Sequence, residues 1–222
     1  MAKAKKSITL LSIARVFSPL FGVTRSERKA LARLVPHMRS SGWLRSISNK
    51  ESIDQHGNPV PWLSYAAINL LSERVTPDLS VFEYGSGNST LWWAAHAGAV
   101  VSCEHDENWY RVMTERLPAK VRYLHRPLEE GNYPTAIAEF GSFDIVMIDG
   151  RERVHCTKVA VNHITPRGVV VFDNSDRERY AEAFSLLGRL GFRRLDLVSM
   201  GPISKKPIST SVFYRDGNCF GL

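Results

Sequence analysis

Five short apolar runs, each followed by a stretch able to form a helix, constrain the fold of this 222-residue chain more than any other feature. The runs are LSVFEY (79–84), AVVSCE (99–104), KVRYLH (120–125), FDIVMID (143–149) and GVVVFDN (168–174). Between them lie TLWWAAHA, WYRVMTERL, PTAIAEF and ERVHCTKVAVNHI, and AEAFSLLGRLG follows the last. Near-continuous apolar strands alternating with helices require a parallel sheet covered on both faces. The pattern changes at the C-terminus. There FRRLDLVSM (192–200) and ISTSVFYR (208–215) are joined only by GPISKKP. A parallel crossover takes about a dozen residues or more, so this last pair is expected to be an antiparallel hairpin. The expected fold is α/β: a Rossmann-like three-layer sandwich around a seven-strand, mostly parallel sheet.

The sheet pattern places one domain over residues 62–222, behind a basic helical extension and linker over 1–61. Within the domain, WLSYAAINLLSERV has helical spacing and ends before Thr76-Pro77. In the extension, TRSERKALARLVPH (24–37) predicts a helix capped by Thr24 or Ser26 and stopped by Pro36, and SISNKESIDQHGNPVP (46–61) predicts a polar linker. Residues 1–45 carry ten Lys/Arg against one acid, whereas the rest of the chain carries 19 against 21. The basicity therefore belongs to the arm. Its apolar stretch SITLLSIARVFSPLFGV is broken by Arg15 and Pro19, too short a run for a bilayer span or a signal sequence. The arm suits a cover over the active site, peripheral contact with an anionic membrane, nucleic-acid binding, or a targeting presequence. Cover ranks first and membrane second; nucleic acid ranks low because the body has no basic excess. Cys103, Cys156 and Cys219 form no CxxC pair, which favours a reducing, cytoplasmic setting.

The first strand ends in VFEYGSGNST (81–90), an acid followed by a turn stripped of side chains. Such a turn between a parallel strand and a helix usually holds a ligand. A P-loop would need Lys-Ser/Thr after its second glycine, and none is present. The dinucleotide fingerprint G-x-G-x-x-G is incomplete, because Thr90 stands at its third glycine. Two acids remain informative: Glu83 before the turn, and Glu104 ending the second strand.

The E-x-G-x-G turn, the acid at the second strand end and the terminal hairpin together resemble the class I S-adenosylmethionine-dependent methyltransferases, over residues 62–215. The resemblance implies cofactor binding by Glu83, Gly85, Gly87, Ser89, Glu104 and His105. Glu104 would accept hydrogen bonds from the ribose hydroxyls, and Glu83 would sit near the sulfonium and amino group. Ser89 stands where many members have a third glycine.

Two further strand ends, IDGRERVH (148–155) and FDNSDR (172–177), bring Asp149, Asp173 and Asn174 to the same sheet edge. Two carboxylates and an amide oxygen are a hard-oxygen set suited to Mg²⁺ or another divalent cation. The set is similar to that of the catechol and caffeoyl-coenzyme A O-methyltransferases. That likeness implies a metal at Asp149, Asp173 and Asn174 that would orient an acceptor hydroxyl. Where those enzymes carry a lysine this chain has Glu152, leaving Arg151, Glu152, His155 or Lys158 as base; His155 is preferred for its near-neutral pKa. Asp149 and His155 are thus the expected catalytic pair. Amino-methylating enzymes carry a [DNS]-P-P-[YFW] loop after the fourth strand, where this chain reads Asp-Gly-Arg-Glu. A hydroxyl on a small molecule or sugar is the expected acceptor. The competing readings are an NAD-dependent oxidoreductase and a non-catalytic cofactor-fold module that binds a membrane or partner through its arm.

Overall fold

The computed structural model describes residues 22–222. Two helices come first, α1 (Arg25–Ser40) and α2 (Trp43–Asn49), then α3 (Tyr65–Arg74). The sheet strands are β1 (Ser80–Tyr84), β2 (Ala99–Glu104), β3 (Val121–His125), β4 (Phe143–Ile148), β5 (Ile164–Asp173), β6 (Arg193–Ser199) and β7 (Ile208–Tyr214). Helices α4 (Asn88–His96), α5 (Glu107–Thr114), α6 (Arg153–Ala160) and α7 (Ala181–Arg189) complete the alternation, with a 3₁₀ turn at Ala136–Glu139 in place of a helix between β3 and β4.

The seven strands run in the order β3-β2-β1-β4-β5-β7-β6. β1 through β5 pair in parallel, and β7 is antiparallel to both β5 and β6. Successive strand residues feed opposite faces, which is why the runs read as continuously apolar. Phe82, Tyr84, Val101, Val146 and Ile148 pack on one side with Ile137, Cys156 and Leu187. Val81, Val100, Ile145 and Met147 pack on the other with Leu71, Trp92, Trp93 and Phe220. Both tryptophans of α4 are buried in this second layer, so neither lines a cleft.

The extension differs from expectation in two places. Thr24 caps α1 through a full capping box with Glu27, but Pro36 lies inside the helix, which runs on to Ser40. The ring removes one N–H bond to the carbonyl of Ala32, and both residues are exposed, so water can take the freed acceptor. The expected linker 46–61 is also more structured. Ser46–Asn49 belong to α2, and Ile53 bridges Pro59. The Ser46 hydroxyl, fully buried, donates to Ile53 O at 2.7 Å, and Trp43 Nε1 donates to Ser204 O at 2.8 Å. Those contacts dock α2 against the loop between β6 and β7. Residues 1–21, with most of the apolar stretch and three of the arm's lysines, lie outside the described residues.

Candidate active site

Strand register brings three acids and a glycine to one edge. Tyr84 is level with Cys103 and with Ile148, and Ile148 is level with Phe172. The residue after each is therefore also level: Gly85, Glu104, Asp149 and Asp173. Parallel strands deliver their C-terminal ends to one crevice, and β1 and β4 flank the point where the strand order reverses. A cleft of about 380 Å³ opens there, lined by Glu83, Gly85, Ser86, Ser89, Glu104, His105, Asp106, Trp109, Asp149 and the 150–153 turn.

The glycine turn is shaped by its neighbours. Gly85 has φ +96°, and a Cβ there would come within 3.2 Å of Gly150 Cα. Gly150 is tighter still, since a Cβ would lie 1.9 Å from the hydroxyl of Tyr133, a fully buried ring. The turns after β1 and β4 can touch only because both lack side chains. Gly87 is different: its φ of 164° is extended, and a Cβ would meet nothing within 4 Å. The protein's own packing thus does not account for that glycine. Gly150→Ala is expected to lower stability by about 1–3 kcal/mol through overpacking. In thermal denaturation, adding Tyr133→Phe should recover part of the loss by deleting the clashing oxygen.

Glu83 is buried. Its Oε2 accepts from Thr90 Oγ1 at 2.5 Å and Ser102 Oγ at 3.2 Å, and Thr90 in turn accepts from Gly87 N at 3.0 Å. Among the described residues Oε1 has no hydrogen-bond partner. Burial pushes the Glu83 pKa up to about 7, against the pull of the surrounding hydroxyls. A buried carboxylate with one unpaired oxygen beside a cleft is a ready partner for a cationic ligand group.

Glu104 is also buried. Its Oε1 accepts from the backbone N–H groups of His105 and Asp106 at 2.8 and 2.9 Å, and His105 Nδ1 lies 2.7 Å away. Its Oε2 accepts from Ser86 Oγ at 2.8 Å, and Ser86 also bonds the Tyr123 hydroxyl at 2.7 Å. Trp109, half exposed, donates from Nε1 to Ser86 O at 2.9 Å and so braces the same turn. Ser86, Tyr123 and Trp109 carry no signal in the E-x-G-x-G pattern, because the first is an x position and the others come from α5 and β3.

The expected metal set does come together, but its oxygens are already spent. Asp149 Oδ1 pairs with Arg153 Nη2 at 2.8 Å. Asp173 Oδ1 accepts from Thr210 Oγ1 at 2.9 Å, and its Oδ2 accepts from the Asn174 side-chain amide at 2.5 Å. Asn174 therefore presents its NH₂, not its oxygen, to the neighbouring carboxylate. The cation between the acids is Arg153, buried, which also donates to the carbonyls of Asp149, Gly150 and Asp173. Among the described residues no group of three or more His, Cys, Asp or Glu is placed to hold a metal ion. The residues do not fit Mg²⁺. Burial raises the pKa of Asp149, and burial with the nearby Asp149 charge raises that of Asp173. Arg153 pulls both the other way, towards the ionised form.

His155, the expected base, sits elsewhere. Its side chain is 59% exposed and lies 3.7 Å from Glu152, facing a second cleft rather than the one that Asp149 lines. Among the described residues Glu152 and Asn174 are two of the three non-glycine residues with positive φ, at 45° and 53°, in the turns after β4 and β5.

Residues 82–175 match a family model described as a methyltransferase domain. The chain is similar to solved structures of precorrin-6y C5,15-methyltransferase from Geobacter metallireducens (15% identity, TM-score 0.57, covering 68% of this chain and 87% of that one) and of a methyltransferase-like protein from Silicibacter pomeroyi (25%, 0.52, 70% and 89%). It is also similar to a precorrin 8W decarboxylase from Methanobacterium thermoautotrophicum (17%, 0.54, 74% and 97%). The fold is that of methyltransferases. No curated protein matches the chain. The methyltransferase-domain match begins within β1 and ends just past Asp173 and Asn174, so it takes in every residue that lines the cleft. Among the described residues no helix is long and apolar enough to cross a membrane.

Proposed function

We propose that the chain transfers a methyl group from S-adenosylmethionine to a hydroxyl of a small molecule or sugar. The observation that carries this reading is the pair of buried carboxylates on neighbouring strands at the cleft, Glu83 with an oxygen left unpaired and Glu104 beside a turn open at Gly87. When bound, S-adenosylmethionine supplies an electrophilic methyl group on a sulfonium. Glu83 would face the ligand's ammonium, Glu104 would accept from the ribose diol, and the Gly85–Gly87 turn would leave room for the methionyl tail. Ser89 and His105 border the same cleft and complete the cofactor wall. Asp149 is the residue that takes the acceptor's proton: it is only half buried, lines the cofactor cleft, and has Arg153 to favour its ionised form. No step requires a metal.

Isothermal calorimetry on the purified chain tests the reading. Binding of S-adenosylhomocysteine without binding of NAD is expected; the reverse would establish the oxidoreductase reading instead. A non-catalytic module predicts no transfer of labelled methyl to any acceptor in a metabolite screen.

The Glu83 shift gives this binding a pH dependence. A carboxyl with a pKa of about 7 in the free protein is mostly protonated at pH 6, and a protonated acid cannot complement an ammonium. Each unit below the pKa then costs about tenfold in affinity. S-adenosylhomocysteine should therefore bind about tenfold more weakly at pH 6 than above pH 8, and Glu83→Gln should flatten the profile. Without ligand the sign is opposite for stability. The folded state holds the Glu83 proton more tightly than the unfolded chain, so this group's contribution falls as pH rises from the ordinary value of 4.5 through about 7.

A further inference from the structure

Beside the cofactor cleft lies a larger one of about 680 Å³, and the two share Gly150, Arg151 and Arg153. Its other lining residues are Glu152, Val154, His155, Lys158, Arg177, Arg179 and Tyr180, so five Lys/Arg and a histidine face one acid. The remainder of the chain beyond the basic arm has no net positive charge, which makes this concentration local. Among the described residues Arg177 and Arg151 have no ion pair. Lys158 pairs with Glu182 at 2.6 Å on the exposed rim, and Arg179 donates to the Tyr180 hydroxyl at 2.8 Å while stacking over its ring. The cleft also receives the start of α6, whose N-cap Glu152 makes no side-chain capping bond. Free helical N–H groups there add to the positive potential.

Guanidinium groups converging on a concave surface match an oxyanion that bears several acceptor oxygens. We infer that the second cleft binds the acceptor through a phosphate group, so that the substrate is a phosphorylated small molecule. This rests on the proposed methyl transfer and adds the substrate class. The volume suits one small ligand. The shared wall means a molecule anchored at Arg177 and Arg179 reaches over Gly150 toward Asp149, where its hydroxyl loses a proton as oxygen bonds to the methyl carbon. The sulfur of the donor keeps the electron pair of the broken bond. His155 lies at the anchored end and belongs to acceptor binding.

The test is calorimetry with the full chain, first loaded with S-adenosylhomocysteine, then titrated with inorganic pyrophosphate and separately with acetate at physiological ionic strength. Pyrophosphate is expected to bind and acetate not. The double variant Lys158→Ala/Arg177→Ala changes the second cleft and leaves the lining of the cofactor cleft intact. It should weaken pyrophosphate at least tenfold and leave S-adenosylhomocysteine affinity unchanged. Equal pyrophosphate binding by variant and wild type, no pyrophosphate binding, or equal binding of acetate would each overturn the assignment. So would a short single-stranded RNA captured more tightly than pyrophosphate and released by the same variant, since the occupant would then be a nucleic acid. Failure of the first step, S-adenosylhomocysteine binding to the wild type, strikes the methyl-transfer reading instead and is read out separately.

Discussion

Arg153→Ala is expected to lower the unfolding free energy by about 3–5 kcal/mol at neutral pH, the cost of removing one partner from a buried ion pair. Among the described residues the guanidinium is the sole cation between Asp149 and Asp173, and it also satisfies three carbonyls at the ends of β4 and β5. Deleting it leaves two acids facing each other with no counter-charge, and leaves carbonyls that only entering water can serve. Urea denaturation should show the midpoint falling without a change in slope, because the folded surface is otherwise kept. A pH series separates charge from packing. Burial already raises both carboxyl pKa values, and loss of the guanidinium raises them further, so the variant's folded state holds protons the unfolded chain releases. The deficit should therefore grow from pH 5 to pH 8. A deficit that is flat with pH would mean Arg153 serves by packing alone, and the paired-acid description of this corner would be wrong. Arg153→Lys should recover some of the charge and little of the fork of hydrogen bonds, and so fall between the two.

That arginine also shows where legibility in the sequence ends. Strand runs and their spacing carry the sheet, because burial on both faces writes an apolar signal at nearly every position of β1, β2 and β4. The acids at the strand ends are legible for the same reason: a carboxylate closing an apolar run stands out. What a run cannot encode is which donor reaches the carboxylate. Asp149, Asp173 and Asn174 read as a metal set by residue type, but Thr210 arrives from β7 and Arg153 from the next helix turn, and both fill oxygens that a metal would need. Arg153 reaches back to Asp149 across the short turn 150–152, a placement that the residue types alone do not signal. His155 fails by the same geometry: two residues beyond Arg153 on α6, it points away from the groove that Arg153 closes. The polar composition of residues 46–61 hid the buried Ser46 hydroxyl, whose two bonds to Ile53 turn a predicted linker into a docked segment.

Glu104→Ala should weaken S-adenosylhomocysteine binding about 100-fold, the equivalent of one or two charge-assisted hydrogen bonds at about 1.5–3 kcal/mol each. A carboxylate offers about four lone-pair directions. In the unliganded protein Oε1 is taken by His105 N and Asp106 N, and Oε2 receives the Ser86 hydroxyl. Oε2 therefore has one direction left for a ribose hydroxyl, and two if Ser86 turns to its other partner, Tyr123, 2.7 Å away. This second partner makes Ser86 a movable donor, able to yield the carboxylate to a ligand hydroxyl. Ser86→Ala should accordingly change affinity little, while Glu104→Gln, which keeps Oε1-type acceptance but loses the charge, should fall in between at roughly tenfold. Circular dichroism must show the Ala variant folded, because three donors lose their acceptor at the cleft edge. Water can serve them there, so the stability loss should stay near the lower end of about 1–3 kcal/mol. Calorimetric titration of the three variants gives the order directly. If Glu104→Ala binds S-adenosylhomocysteine as tightly as the wild type, Glu104 only anchors the turn after β2, and the ligand's sugar lies elsewhere in the cleft.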